Sequence, residues 1–373
     1  MLNPKIIHVT TVHKPTDERI YYKQCLSLVN AGFNISILTK NEGSDLVKGL
    51  NSIAIKIPHG IIGRIFTDFV RVPSLILRRR FNIVHLHDPE LIIAGLILKL
   101  FGKKVIFDFH ELIYFQLDIK KISRIKFVKH FVKFIYKSIE SIAVKYFDKL
   151  ILAEDGYMDY FQKRYFKYQH KISIVRNYPI LNIIENVKPA ESNYAEPLLI
   201  YAGGLSEQRG ILELVEAIGI LKGKVKLILF GEWENKQYKN RCKKSFGWKY
   251  VQYMGFRPLN DVYSYMKISM LGVALLYPIT NYKTSMPVKA YEYMSCKLPM
   301  ILSNFSTWEE YFKDFAFFSD PYMPDLIAQK INYAIDNLDY AKELGLKGYK
   351  AIKEKYSWEK EEIELINLYN ELV

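Results

Sequence analysis

MPVKAYEYMSCKLPMILS, residues 286–303, reads as a helix carrying one glutamate, then a tight turn, then a buried strand. Pro287 suits a first helical turn, where its missing N–H loses nothing. Val288, Tyr291 and Met294 keep helical spacing, and residues 298–302 form an apolar run of strand length. A polar loop, 280–285, precedes the helix, so the helix N-terminus and Glu292 face polar surroundings. Amide N–H groups at such an N-terminus take phosphate, and a carboxylate accepts both ribose hydroxyls. The stretch therefore suits a nucleotide diphosphate sugar, although an ordinary helix with a surface glutamate has the same spacing.

Strand and helix patterns alternate outward from it in both directions, the signature of parallel α/β sheets. In the first half the periodicity predicts strands over 5–12, 33–39, 83–87, 105–109, 150–153 and 172–175, with helices over 18–31, 90–101, 120–146 and 157–165. The prolines and polar residues of 177–197 read as a linker. The second half restarts at 198–202, followed by Gly203-Gly204 and a helix from 208 to 221. Further strands are expected at 225–230, 251–254, 271–276 and 300–303, and the chain from Pro324 on is mostly helical. The expected organisation is a Rossmann-like domain over 1–177, a linker over 178–197, a second Rossmann-like domain over 198–357, and a terminal amphipathic helix over 358–373 marked by Ile363, Ile366 and Tyr369. Two such sheets would turn their strand ends toward a shared cleft.

Of 373 residues, half are hydrophobic, which is ample for two cores. Charge is uneven: residues 1–180 hold 29 Lys and Arg against 15 Asp and Glu, whereas 181–373 hold 24 of each. The net charge of +14 thus lies in the first half, which points to an anionic surface or substrate there. Three scattered cysteines (Cys25, Cys242 and Cys296) show no metal spacing and fit a reducing compartment. KIIHVTTV at the start is a strand pattern, not a signal peptide, and the longest apolar stretch is too short to span a bilayer. A cytoplasmic or peripheral protein is expected.

YAGGLSEQRGILELVEA, LILFGE, YMGF, MPVKAYEYMSCKLPMILS and the closing YSWE, in that order, resemble the family 4 glycosyltransferases of the two-domain GT-B fold. HKPTDERIYYKQCLSLVNAGFNISILT, HLHDPE and DFHE are similar to the branch that builds bacterial surface polysaccharides such as capsule, O-antigen and lipopolysaccharide. The resemblance implies a retaining transfer from a UDP- or GDP-linked sugar to a lipid-linked glycan. The second domain would bind donor, the first acceptor, and the last helix would cross back onto the first domain.

On that basis Gly203, Gly204, Arg209, Glu232, Phe256, Ser285, Lys289 and Glu292 are the expected donor residues. Gly-Gly lets the backbone approach a phosphate, and Arg209 would stabilise the departing charge; a turn and a solvated arginine is the plain alternative. Family members carry an Arg–Lys pair here, but Gly204 stands at the Arg position, so Lys289 is the candidate substitute cation. Glu292 matches the ribose-binding glutamate. The family's other glutamate is replaced by Thr284, expected with His110 and Arg209 in the catalytic set. His110 ends the strand VIFDF, where the family's histidine reaches the donor sugar. Asp17, Arg19, His87, Glu111 and Asn177 are the expected acceptor residues, with Asp17 also a helix cap and Arg19 aimed into the cleft. His85 and His87 share one strand face beside Asp88, but bringing them to His110 around a metal would need a spatial coincidence. With no Asp-x-Asp in the chain, neither metal nor other cofactor is expected.

Residues 120–142 pattern as an amphipathic helix. Ile122, Ile125, Val128, Val132, Ile135, Ile139 and Ile142 make a stripe expected in the core. Phe127, Phe131 and Phe134, with Lys126, Lys129, Lys133 and Lys137, are expected to meet an anionic membrane. A sugar-nucleotide 2-epimerase of the same fold, or a non-catalytic nucleotide or glycan binder, are the alternatives. A nucleic-acid binder ranks last, since no recognition motif accompanies the charge.

Overall fold

The computed structural model describes residues 4–40, 50–58, 60–111, 126–191, 194–279, 282–283 and 285–373, with only the backbone at 61–62 and 126–129. Thr284 lies outside the described residues, as do the side chains of Lys126, Phe127 and Lys129. The chain divides into two compact units: Met1–Asn177 with Trp358–Val373, and Tyr178–Ser357.

The first unit is built on seven parallel strands: β1 (Lys5–Val9), β2 (Asn34–Lys40), β3 (Asn51–Ile55), β4 (Ile83–Leu86), β5 (Lys104–Phe109), β6 (Lys149–Leu152) and β7 (Ile172–Ile174). Their order is β3-β2-β1-β4-β5-β6-β7, so the order reverses between β1 and β4. On one face Ile7, Val9, Val84, Leu86 and Phe107 meet Val72, Ile76, Leu98, Ala143 and Val144 from three covering helices. The opposite face carries His8 and His85, partners across β1 and β4, and is covered by the chain from Glu18 to Asn30 and by the terminal helix Trp358–Asn370.

The second unit has six parallel strands: β8 (Leu198–Ala202), β9 (Lys226–Phe230), β10 (Val251–Gly255), β11 (Leu271–Ala274), β12 (Met300–Ser303) and β13 (Ala316–Ser319). Their order is β10-β9-β8-β11-β12-β13, reversing between β8 and β11. Ligands in such sheets sit outside the carboxyl ends of the strands, at that reversal.

Several sequence expectations need correction. Residues 178–197 are part of the second unit: the helix Leu181–Asn186 buries Leu181 and Ile184 in its core. Strands β3 and β13 escaped notice because each is short and lies at a sheet edge. Residues 10–12 form a loop and not the end of β1, because Asp88 draws in the Thr11 and Val12 N–H groups and the Thr10 hydroxyl. The helix Lys126–Tyr146 is rotated from the expected setting. Glu140, Ala143, Val144 and Phe147 face inward, while Ile135 (42% exposed) and Ile142 (45%) face out, so of the expected stripe Ile139 packs on the core and these two do not; Ile122 and Ile125 and the side chain of Val128 lie outside the described residues. Burying Glu140 is possible because Tyr160 and Tyr165 hydroxyls both donate to it at 2.7 Å. In the terminal helix the inward face is Trp358, Glu361, Leu365, Leu368 and Tyr369, leaving Ile363 exposed.

Candidate active site

In the second unit, the loop after β8 runs alongside the loop after β9. Gly203 N–H donates to Phe230 O (3.0 Å), and Leu205 N–H to Glu232 O (2.8 Å), so pairing continues past the strand ends. The approach is close enough to require glycine. A Cβ on Gly231 (φ +134°) would lie 1.8 Å from Gly203 O, and one on Gly203 (φ +148°) would lie 2.7 Å from Lys289 Nζ.

These loops floor a cavity of about 330 Å³ lined by Gly203, Gly204, Glu232, Phe256, Lys289 and Glu292, among others. Six of the eight expected donor residues thus share one wall. Glu292 is nearly buried on the helix Val288–Ser295, one turn beyond Lys289. The Lys289 ammonium hangs over the Gly203 backbone, 5.6 Å from the centre of the Tyr201 ring. Arg209 stands beside the cavity, its Nη1 3.3 Å from the position of a Cβ on Gly203. Tyr201 and Tyr282 flank its guanidinium, and the Tyr201 hydroxyl donates to Gly204 O. Ser285 is not part of the lining; its carbonyl accepts from Trp308 Nε1 at 2.8 Å.

The reversal point of the first sheet is filled instead. Asp108, fully buried at the end of β5, receives Arg19 Nε (3.0 Å) and Nη2 (2.9 Å) and Gln24 Nε2 (2.6 Å). Burial alone would raise its pKa, but Arg19 and His110 outweigh that and hold it well below the ordinary carboxylate value. Arg19 is therefore only 5% exposed and spent on Asp108 and the Val175 carbonyl, which corrects the expectation that it reaches into a cleft. Asp17 caps the helix, accepting from the N–H groups of Arg19 and Ile20. Asn177 is half-buried and accepts from buried Lys23 through its amide oxygen (2.7 Å); His87, 2% exposed, does not offer the free surface expected of an acceptor contact. Glu111 is exposed beside His110, which is half-buried.

Around Asp108 gather residues with no site role expected from sequence: His8, His13, Gln24, Asp108 itself and Tyr369, the last expected only as part of the terminal helix's apolar face. His110 Nε2 lies 3.2 Å from Asp108 Oδ2 and 3.2 Å from His87 Nδ1. With His87 Nδ1 3.7 Å from Asp108 Oδ2, the three atoms are spaced like ligands of one ion. Asp108 is, however, already engaged by the Arg19 cation and by Gln24, so a dication would meet a charge of its own sign beside a carboxylate that already accepts three N–H groups. His13, at the rim, has Nδ1 3.3 Å from Asp17 Oδ2 and Nε2 3.6 Å from Asp88 Oδ1. The hydrogen bond to Asp17 raises its pKa.

Two family models match the chain in tandem: Glycosyltransferase Family 4 over residues 18–178 and Glycosyl transferases group 1 over 182–351. Two parallel-sheet Rossmann-like units of this kind make up the GT-B fold. The chain belongs to the family 4 glycosyltransferases. No curated protein matches its sequence. Among solved structures it is similar to sucrose-phosphate synthase from Thermosynechococcus elongatus, at 15% identity and TM-score 0.75, covering 99% of each chain. It is similar also to Anabaena HepE in complex with UDP-glucose, at 12% identity and TM-score 0.73, over 98% of this chain and 99% of that one. WaaG, a glycosyltransferase involved in lipopolysaccharide biosynthesis, matches at 14% identity and TM-score 0.72, over 97% and 99%.

Proposed function

We propose that this glycosyltransferase transfers a sugar, with retention, from a UDP- or GDP-linked donor to a lipid-linked glycan during surface polysaccharide assembly at the inner face of the cell membrane. The observation that carries the reading is the cavity at the end of β8, where a glycine floor, an ammonium and a nearly buried carboxylate converge. The diphosphate lies over Gly203 and Gly204 with Lys289 and Arg209 as counter-charges, and Glu292 accepts the ribose hydroxyls. Lys289 stands in for the arginine that Gly204 replaces. The acceptor hydroxyl attacks the anomeric carbon on the face the phosphate leaves. Its proton passes to the departing phosphate oxygen, and no metal takes part. The UDP-glucose complex of HepE supports the donor class, and the role of WaaG supports the pathway class.

The helix Lys126–Tyr146 supports the membrane part of the reading. Phe131 (55% exposed) and Phe134 (68%) stand out from it together with Ile135, Ile142 and Tyr146, and Lys133 and Lys137 lie on the same helix. Among the described residues no helix is long and apolar enough to cross a membrane. Aromatics inserted at the interface, with about 1 kcal/mol per lysine near an anionic leaflet, would give salt-sensitive attachment.

A thermal-shift panel of UDP, GDP, ADP, CMP and their sugars tests the donor. One nucleotide should raise Tm in the wild type and fail to do so in Glu292→Ala; no shift with any of them would instead favour a non-catalytic protein. Co-sedimentation with anionic vesicles at low and high salt tests the surface, and no retention at low salt would remove the membrane from the reading.

A further inference from the structure

The filled end of the first sheet contains a continuous row of hydrogen-bonded groups. His110 Nε2 meets His87 Nδ1 (3.2 Å), His87 Nε2 meets His8 Nδ1 (3.0 Å), His8 Nε2 meets Tyr369 Oη (3.0 Å), and Tyr369 Oη meets His85 Nδ1 (2.7 Å). His8 and His85 are fully buried and His87 nearly so. Burial pulls the pKa of all three far down, so each ring is neutral and has a single N–H. In such a row every ring must donate through one nitrogen and accept through the other, so the whole row runs in one direction.

Asp108 decides which direction. Its Oδ2 lies 3.2 Å from His110 Nε2. A bare lone pair on that nitrogen would be repelled by the carboxylate, whereas the positive end of an N–H dipole there is attracted to it. With the proton on Nε2, His110 also donates toward His87 Nδ1. His87 and His8 then donate from their own Nε2 atoms, and the Tyr369 hydroxyl donates to His85. The row ends at His85 Nε2–H, a buried group with no partner among the described residues. The reverse direction would leave a bare nitrogen at His85 and set the His110 Nε2 lone pair 3.2 Å from Asp108 Oδ2, whereas the direction chosen sets only the His87 Nδ1 lone pair near that oxygen, at 3.7 Å. The ionic end is the stronger interaction and prevails.

We propose that Asp108, His87, His8 and Tyr369 are positioning residues that hold His110 as its Nε2–H tautomer, presenting the Nδ1 lone pair to a substrate hydroxyl. The terminal helix thereby contributes a hydroxyl to this row as well as packing. The hydroxyl as target rests on the glycosyl-transfer reading; the tautomer does not.

Nitrogen-15 histidine labelling of the full chain tests the assignment, with two-bond nitrogen–proton correlations at about pH 8, above the ordinary histidine range. His→Gln variants assign the eight histidines. The wild type should show a pyridine-type Nδ1 and a pyrrole-type Nε2 at His110, His87 and His8. Asp108→Asn, whose amide donates where the carboxylate accepted, should invert His110. It should also lower kcat/KM about 10- to 100-fold with donor affinity unchanged. Tyr369→Phe keeps the ring packing but cuts the row, so His8 and His85 should lose their single tautomers while His110 keeps its own. This variant decides the matter if Asp108→Asn does not fold. A wild-type His110 protonated on Nδ1, or one equivalent of zinc in the purified protein with metal-shifted nitrogens, would overturn the proposal. Absence of transferase activity would remove only the kinetic arm.

Discussion

The two sheets end in opposite ways at equivalent places. Where β1 and β4 diverge, the space is packed with Arg19, Asp108, His8, His85 and His87, all nearly or fully buried. Beyond the ends of β8 and β9, the backbone is stripped to glycine and a cavity is left. The first end is held by ionic and hydrogen-bonded pairs formed before any ligand arrives. The second is kept open by residues with no side chain and edged by Lys289 and Arg209, the cations that the proposed function assigns to the diphosphate. Deleting a side chain should therefore hurt stability at the first end, whereas adding one should hurt binding at the second.

The largest expected effect tests the packed end. Arg19→Ala leaves Asp108 buried with no guanidinium, and breaking a buried pair in this way costs about 3–5 kcal/mol. Urea unfolding followed by hydrogen exchange should place the loss in the first unit, with protection in the second unchanged. A cost below about 1 kcal/mol would mean that the pair behaves like an exposed one, and the contrast between the two ends would fail.

At the open end, Gly231→Ala forces a Cβ against Gly203 O. The backbone there must shift, with strain of about 1–3 kcal/mol, and nucleotide affinity should fall at least about tenfold by calorimetry. Lys289→Met sharpens the point, because it keeps the aliphatic stem and removes only the charge. Nucleotide diphosphate binding should weaken by about 10- to 100-fold, the range for a lost charge-assisted bond, while Tm moves little. If Tm falls as much as in Arg19→Ala, Lys289 belongs to the architecture and not to a ligand site.

What the sequence revealed follows the same division. The open end could be read in advance because its chemistry is local: Gly203-Gly204 closes a strand, and Lys289 and Glu292 lie one turn apart on a helix. The packed end could not, because its partners meet only through topology. His8 and His85 pair because β1 lies beside β4, and Tyr369 reaches His8 from 361 residues away. Arg19 looked like a cleft cation because nothing near it in sequence marks Asp108, 89 residues on, as its partner. The same limit misplaced Ile135 and Ile142: periodicity finds an apolar face, but Ala143, Val144 and a tyrosine-satisfied Glu140 set which face turns inward.

The smallest effect lies at the rim of the packed end, where His13 is one-third exposed between Asp17 and Asp88. Its pKa is raised above 6.5, chiefly by the hydrogen bond to Asp17. Burial pushes the Asp17 pKa upward, but the bonds from His13 and the Ile20 N–H prevail and bring it down to about 2. The signs set a window. Asp17 contributes stability above its ordinary 3.8 and loses it as pH falls toward 2. His13 contributes below 6.5 and loses its share as pH rises through its raised folded value. The stability difference between wild type and His13→Gln should thus be greatest between 3.8 and 6.5 and shrink in alkali. Chemical unfolding at about pH 5 and about pH 8.5 measures it. A difference that grows with pH would mean that His13 is held neutral, and the packed end would then extend its uncharged histidine row to the rim.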